Sequence, residues 1–280
     1  MTVWEILTQT WKWELSVVLG CLSLFGGYAA LMNFKPTKRW LWFIAGDLVL
    51  LVSLVSPLHT LGDTYLFSVH MAQHILLLLV VPPFLILGFP PKLVRRMLKV
   101  RAIRIAERVL AHPVVAWFAG IGVMYLWHIP ALYDATIYNH NVHIIEHLTF
   151  LVTSTMFWWP VICPAPERRM GAFISLAYLF GAGLASILLG LIITFAPVLY
   201  KGYEHPFDYL GILPLIRQDW KLSSQADQQI GGLLMWVITG PFYLAAIFWV
   251  MAGWFREEGQ VVYSEAVAAA EGKGVTLAHE

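Results

Sequence analysis

The sequence predicts an all-α, polytopic membrane bundle of about seven transmembrane helices, with the amino terminus outside and the carboxyl terminus cytoplasmic. Three observations lead there. Of 280 residues, 59% are hydrophobic and only 12% charged, with a mean hydropathy of +0.69, whereas a soluble domain carries about a quarter charged residues. Seven apolar runs approach the roughly 20 residues that a bilayer core requires. The basic residues between those runs fall almost entirely on one side.

In chain order, 1–14 reads as an outer interfacial segment, because Trp4, Leu7 and Trp11 share one helical face. The spans follow at 15–34, 40–58, 65–89, 112–131, 140–162, 171–199 and 228–254, so that 15–255 forms one membrane domain and 256–280 a polar cytoplasmic tail rich in Ala and Glu. No basic region precedes the first run and no small-residue cleavage site follows it, so the first span is expected to be retained. Counting Lys and Arg gives 14 on the side of Lys35, Lys92 to Arg108, Arg168 and the tail, and 4 on the side of Lys12, Lys201, Arg217 and Lys221. Positively charged loops stay inside, which sets the orientation.

Between spans three and four, cations alternate with Leu93, Met97, Ile103 and Ile105, which reads first as simple topology control and, as the alternative, as a helix on the inner surface against the lipid bilayer. The outer stretch 200–229 mixes Tyr203, His205, Asp208 and Trp220, suited either to docking a partner or to capping the bundle. Ala182, Ser186 and Gly190 form a small-residue stripe for close helix approach. Cys21 and Cys163 belong to opposite membrane depths, so a disulfide between them is not expected. There is no internal repeat and no Gly-rich phosphate loop, and nucleic acid is not an expected partner.

The ten histidines carry the chemistry. His59, His70, His74, His128, His140, His143, His147 and His205 fall at or beyond the outer span ends; only His112 and His279 are cytoplasmic. His70 with His74, and His143 with His147, are i,i+4 pairs, each presenting two imidazoles from one helix face. Both pairs lie a few residues into helices entering from outside, and four imidazoles converge if spans three and five are neighbours. A lone intramembrane histidine is often a packing residue, but His59, His70, His74, His128, His143 and His147 at one depth point to a metal or redox site. Met124 shares the face of His128, while Gln73 and Glu146 adjoin the paired histidines. Imidazole suits copper and zinc, and thioether leans toward Cu(I). Asp47 lies toward the cytoplasmic side and is expected to bond to a neighbouring helix rather than join the site.

The segment His143-Ile144-Ile145-Glu146-His147 also fits the H-x-x-E-H pattern of a metallopeptidase, in which the glutamate is a general base. A glutamate that orients a ligand imidazole is the simpler reading.

The stretches His70-Met71-Ala72-Gln73-His74, Trp127 to Ala135, His143 to His147 with Phe157-Trp158-Trp159-Pro160, and Asp227 to Gly232 resemble the CtaG family associated with assembly of caa(3)-type cytochrome c oxidase. The resemblance covers about 15–255. It implies a multi-pass protein of the bacterial plasma membrane that is not an enzyme, assists the cytochrome c oxidase subunits and handles their copper. The matching motifs add Asp134, Asp227 and Gln228 as auxiliary residues. A haem-binding membrane cytochrome and an intramembrane metallopeptidase remain the competing classes, with zinc or haem in place of copper.

Overall fold

The computed structural model describes residues 2–270, and all of its regular structure is helical. His279 and Lys273, both assigned above to the cytoplasmic tail, lie outside the described residues.

A short helix α1 (Val3–Gln9) opens the chain, closed at its start by a capping box between Thr2 and Glu5. It buries only Ile6 and leaves Trp4 and Leu7 exposed. Next come α2 (Leu15–Leu31) and α3 (Trp40–Val55). At Ser56-Pro57 the chain turns by 48° into α4 (Pro57–Thr64). Proline at the first helical position and a serine cap start a new helix there.

The third unit is one continuous helix with an irregular centre: α5 (Phe67–Ile75), a π-helical turn over Leu76–Val80, and α6 (Val81–Gly88). Pro82 has no N–H to give to the Leu78 carbonyl one turn earlier. The indole of Trp158 donates to that carbonyl instead, at 2.9 Å. The proline is thus accommodated by a neighbouring helix, as apolar surroundings demand.

Two short helices, α7 (Pro91–Met97) and α8 (Arg101–Leu110), carry the basic cluster. No residue of α8 is buried, and it meets α9 (Pro113–Trp127) at 63°. The fourth apolar run stops at Trp127, short of the expected 131, because Pro130 starts a separate helix, α10 (Pro130–Tyr138). Then come α11 (His140–Ile162) and α12 (Ala172–Phe195). The last helix is again continuous, from α13 (Ser224–Leu233) through a π-helical turn over Leu234–Ile238 into α14 (Thr239–Ala270). Helix thus persists past Arg256 into the stretch read as a polar tail, in keeping with the high helix propensity of its Ala-rich sequence.

Three helices, Phe67–Gly88, Ala172–Phe195 and Ser224–Ala268, are long and apolar enough to cross a membrane, or five if each bent pair counts as one span. Leu15–Leu31 is apolar but shorter. At 23 residues α11 is long enough, but His140, His143, Glu146 and His147 make it polar. The all-helical architecture with several apolar helices fits a membrane bundle.

The small-residue stripe on α12 is buried at Ala182, Ser186 and Gly190. A Cβ on Gly190 would stand 2.8 Å from the Gly232 carbonyl, which is why these two helices meet at glycines. The connection between α12 and α13 folds back over α4 and α5, burying Ile212 and Ile216 with Ile6, Tyr65 and Leu66. It caps the bundle. Cys21 on α2 and Cys163 just after α11 are both buried free thiols. Arg95 on α7 donates two hydrogen bonds to Glu167, on the loop after α11, and holds its carboxyl down at about 2.

Candidate metal centre

The site is built from two helix beginnings. Asp227 on α13 accepts from the backbone N–H of Phe67 at 2.7 Å and of Ser68 at 3.2 Å, and from the Ser68 hydroxyl. It caps α5, whose own preceding residue, Leu66, offers no side-chain cap. Asn139 caps α11 in the ordinary way, accepting from Asn141 and Val142. His70 is the fourth residue of α5 and His143 the fourth of α11, so both pairs begin one turn down. Below the site α11 packs along the π-helical turn and α6. The upper halves leave the space that the imidazoles fill.

The geometry is close. His70 Nε2 and His74 Nε2 are 2.6 Å apart, and His143 Nε2 and His147 Nε2 are 3.1 Å apart. The His70 ring lies 5.3 Å from that of His143 and 5.8 Å from that of His147, centre to centre. His59, at the turn into α4, lies 5.4 Å from the His143 ring. One ligand atom from each of His70, His74, Glu146 and His147 falls within 4.8 Å of the others, and the same holds for His59, His143 and His147.

Hydrogen bonds around the rings indicate which nitrogens carry lone pairs. His143 Nδ1 stands 2.9 Å from an oxygen of Asp63, which only accepts, so Nδ1 bears a proton and Nε2 is the nitrogen that faces His147. His70 Nδ1 faces the Gly62 carbonyl and the Tyr203 hydroxyl, each at 3.3 Å, while Tyr203 donates to Gly62 at 2.7 Å. Its proton is likewise on Nδ1. His128 Nδ1 donates to the Met124 carbonyl at 2.6 Å, turning Nε2 toward Met71 Sδ at 3.4 Å. A carboxylate or carbonyl behind the imidazole is the arrangement that orients metal-binding histidines.

Glu146 is the anomaly. It is fully buried, 3.6 Å from His70 Nε2 and 3.7 Å from His74 Nε2, and neither carboxylate oxygen has a hydrogen-bond partner. His74 Nδ1 is also unpartnered. Burying a carboxylate without a donor is costly, and a cation among the surrounding lone pairs would supply what is missing. The donor set of three imidazoles and one carboxylate fits Cu(II) or Zn(II), and the thioether beside His128 adds a soft donor.

The residues named from sequence distribute as follows. His59, His70, His74, His143, His147 and Glu146 are brought together. His128 stands one ring away, 6.1 Å from His74. Gln73 donates to the Ser53 carbonyl at 2.9 Å and approaches His59 Nδ1 at 3.2 Å, bracing that ring. Met124 points its sulfur toward the Ser186 hydroxyl, at 4.0 Å, rather than toward the histidines. Asp134 accepts from Gly202 N, holding the turn that carries Tyr203. Gln228 bonds to the carbonyls of Ile193 and Pro197 and to Leu199 N, pinning the end of α12. His140 is exposed, 4.0 Å from Glu14, and His112 and His205 are exposed elsewhere. Sequence reasoning passed over Asp63, Met71 and Tyr203 as site residues. Met71 shares a face with His74 at i,i+3, a signal that was available, whereas Asp63 and Tyr203 reach the site only through the fold.

Comparison with known proteins agrees with this region of the chain. A family model described as cytochrome c oxidase caa3 assembly factor (Caa3_CtaG) matches residues 24–257. An uncharacterised protein of Mycobacterium leprae is 25% identical over 94% of this chain and 41% of its own length. Uncharacterised proteins of Mycobacterium bovis and Mycobacterium tuberculosis are each 26% identical over 94% of this chain and 42% of their own. The chain therefore spans about two fifths of the length of these curated relatives. No solved structure matches.

Proposed function

The chain belongs to the cytochrome c oxidase caa3 assembly factor family, and from that premise we propose that it holds copper as cargo at the outer histidine cluster and passes it to the oxidase. The observation that carries this reading is Glu146, a buried carboxylate with no donor, set among imidazole lone pairs whose far nitrogens are braced by Asp63, Gly62 and Tyr203. A carrier must select its ion yet release it, and ligands on separate helices can be exchanged one at a time.

In this reading the seven spans are α2, α3, α5 with α6, α9, α11, α12, and α13 with α14. The amino terminus faces outward, and the protein sits in the bacterial plasma membrane with the oxidase subunits as its partners. The basic asymmetry of 14 to 4 supports the orientation. So does α8, which carries part of the basic cluster and has no buried residue. The cluster then opens near the outer surface, and the ion avoids most of the hydrocarbon.

The geometry favours an ion over a macrocycle. Imidazole rings packed 4.2 to 6.1 Å apart leave no slot for a planar haem between two axial ligands. It also favours carriage over peptide hydrolysis, because Glu146 is fully buried 3.6 and 3.7 Å from the Nε2 atoms of His70 and His74, placed as a candidate ligand rather than as a base facing an open cleft. The test is deletion of the gene in copper-limited cells. Oxidase polypeptides should accumulate with low specific activity and low copper, both restored by the intact gene. Normal specific activity would remove the assembly reading.

A further inference from the structure

Resting on the copper reading above, we infer that the cluster is two overlapping cation positions in series, an outer loading position and an inner retention position, with His147 exchanged between them. The outer position comprises His59, His143 and His147; the inner comprises His70, His74, Glu146 and His147.

Access separates the two. A cleft of about 440 Å³ between α2, α3 and α11 is lined by His59, His143 and His147, but by none of His70, His74 or Glu146. Glu14 and His140, both solvent-accessible and 4.0 Å apart, also line this cleft and mark its open end. The acid at the mouth offers a first attraction for a cation, and the histidines within offer ligands. The inner residues His70, His74 and Glu146 do not line the cleft, and Glu146 is fully buried. The cleft therefore meets the outer position first.

Chemistry separates them too. The outer position offers imidazole nitrogens alone, with Asp63 touching His143 from behind rather than facing an ion. Only the inner position carries a carboxylate among the candidate ligands, which adds charge attraction and retention. His147 belongs to both positions, and a neutral imidazole whose one nitrogen is protonated has one lone pair to give. It therefore serves one ion at a time. Transfer consists of breaking the bonds to His59 and His143 while forming those to His70, His74 and Glu146, with no change in oxidation state.

This arrangement separates loading rate from affinity in a way one site does not. The experiment uses the full chain, purified in detergent without oxygen, with Cu(I) as the probe and bicinchoninate as competing chelator, followed at equilibrium and by stopped flow. Glu146→Gln removes only an inner ligand: release should speed and Kd should rise by about 10-fold or more, while the loading rate stays unchanged. His143→Asn keeps a donor for Asp63 but loses the outer ligand. Loading and release should both slow about 10-fold, leaving Kd unchanged, because a barrier on the route does not alter the end states. His59→Ala should behave as His143→Asn does, and His147→Ala should impair both rate and affinity. If His143→Asn and His59→Ala raise Kd as much as Glu146→Gln does, there is one site, and the series is overturned while copper binding stands. If the wild-type chain binds neither Cu(I) nor, in air, Cu(II), the copper reading itself falls, and the series with it.

Discussion

Replacing Glu146 with glutamine should move the metal-free and the copper-loaded protein in opposite directions. In the metal-free chain the carboxylate is buried and lacks any hydrogen-bond donor. Holding a charge there costs several kcal/mol in real proteins, and an unsatisfied amide still costs about 1–3 kcal/mol. The difference leaves the metal-free variant about 1–2 kcal/mol more stable than the wild type. At a free copper concentration about 100 times the wild-type Kd, binding stabilises the wild type by about 2.7 kcal/mol. With affinity weakened about 10- to 100-fold, the variant gains only about 0.4–1.4 kcal/mol at that same concentration. The copper-induced shift therefore shrinks by about 1–2 kcal/mol, or roughly 2–8 °C of melting temperature for a chain of this size. The assay is thermal unfolding in detergent, with and without Cu(I). A variant that melts lower than wild type without metal, with an undiminished copper shift, would refute the reasoning by showing that the carboxylate already has a structural partner.

Other substitutions separate scaffold from site. Met71→Leu keeps the side-chain volume and should cost less than about 1.5 kcal/mol of stability, yet it removes the sulfur 3.4 Å from His128. Retained Cu(I) should fall while retained Zn(II) does not, and equal retention of both would free Met71 of any ligand role. Asp227→Asn weakens the cap on α5 and should lower stability by about 1–3 kcal/mol in thermal unfolding, with copper affinity falling because His70 and His74 shift. Trp158→Phe leaves the Leu78 carbonyl without its donor at Pro82 and should cost about 1–3 kcal/mol, with copper retention nearly unchanged.

Much of this site was legible because helical spacing is a geometric rule. Residues four apart share a face, so the two histidine pairs were visible as clamps, and their places near helix starts put them at matching depth. Glu146, three residues after His143, lies on that same face; it was read as a residue orienting an imidazole, and the structure sets it within reach of His70 and His74. What stayed hidden were contacts made across the fold. Asp63 meets His143 across 80 residues and Tyr203 meets His70 across 133, and no local period reports such pairs. Met124 illustrates the reverse. It shares a face with His128, yet the ring bonds to its carbonyl while its sulfur turns to Ser186.

The fold shows the same division. Run length and apolarity located the helices, and Pro57 and Pro130 mark where two of them break. The π-helical turns did not show in the sequence pattern, although Pro82 and Pro83 stand just after the first of them, immediately below His74. Apolarity alone leaves α11 out of the helices long and apolar enough to cross a membrane, because His140, His143, Glu146 and His147 lie on it.

The account rests on the paired histidines holding an ion. The direct measurement is copper and zinc bound per chain after gel filtration, with helicity checked, for the wild type, for His70→Ala with His74→Ala, for His143→Ala with His147→Ala, and for His112→Ala. Both pair variants should retain far less metal, because His70 with His74 supplies half of the inner position, and His143 with His147 supplies most of the outer one together with the shared ligand. His112, exposed at the start of α9 away from the cluster, should be replaceable without effect. Undiminished metal in both folded pair variants would contradict the account and return these histidines to packing.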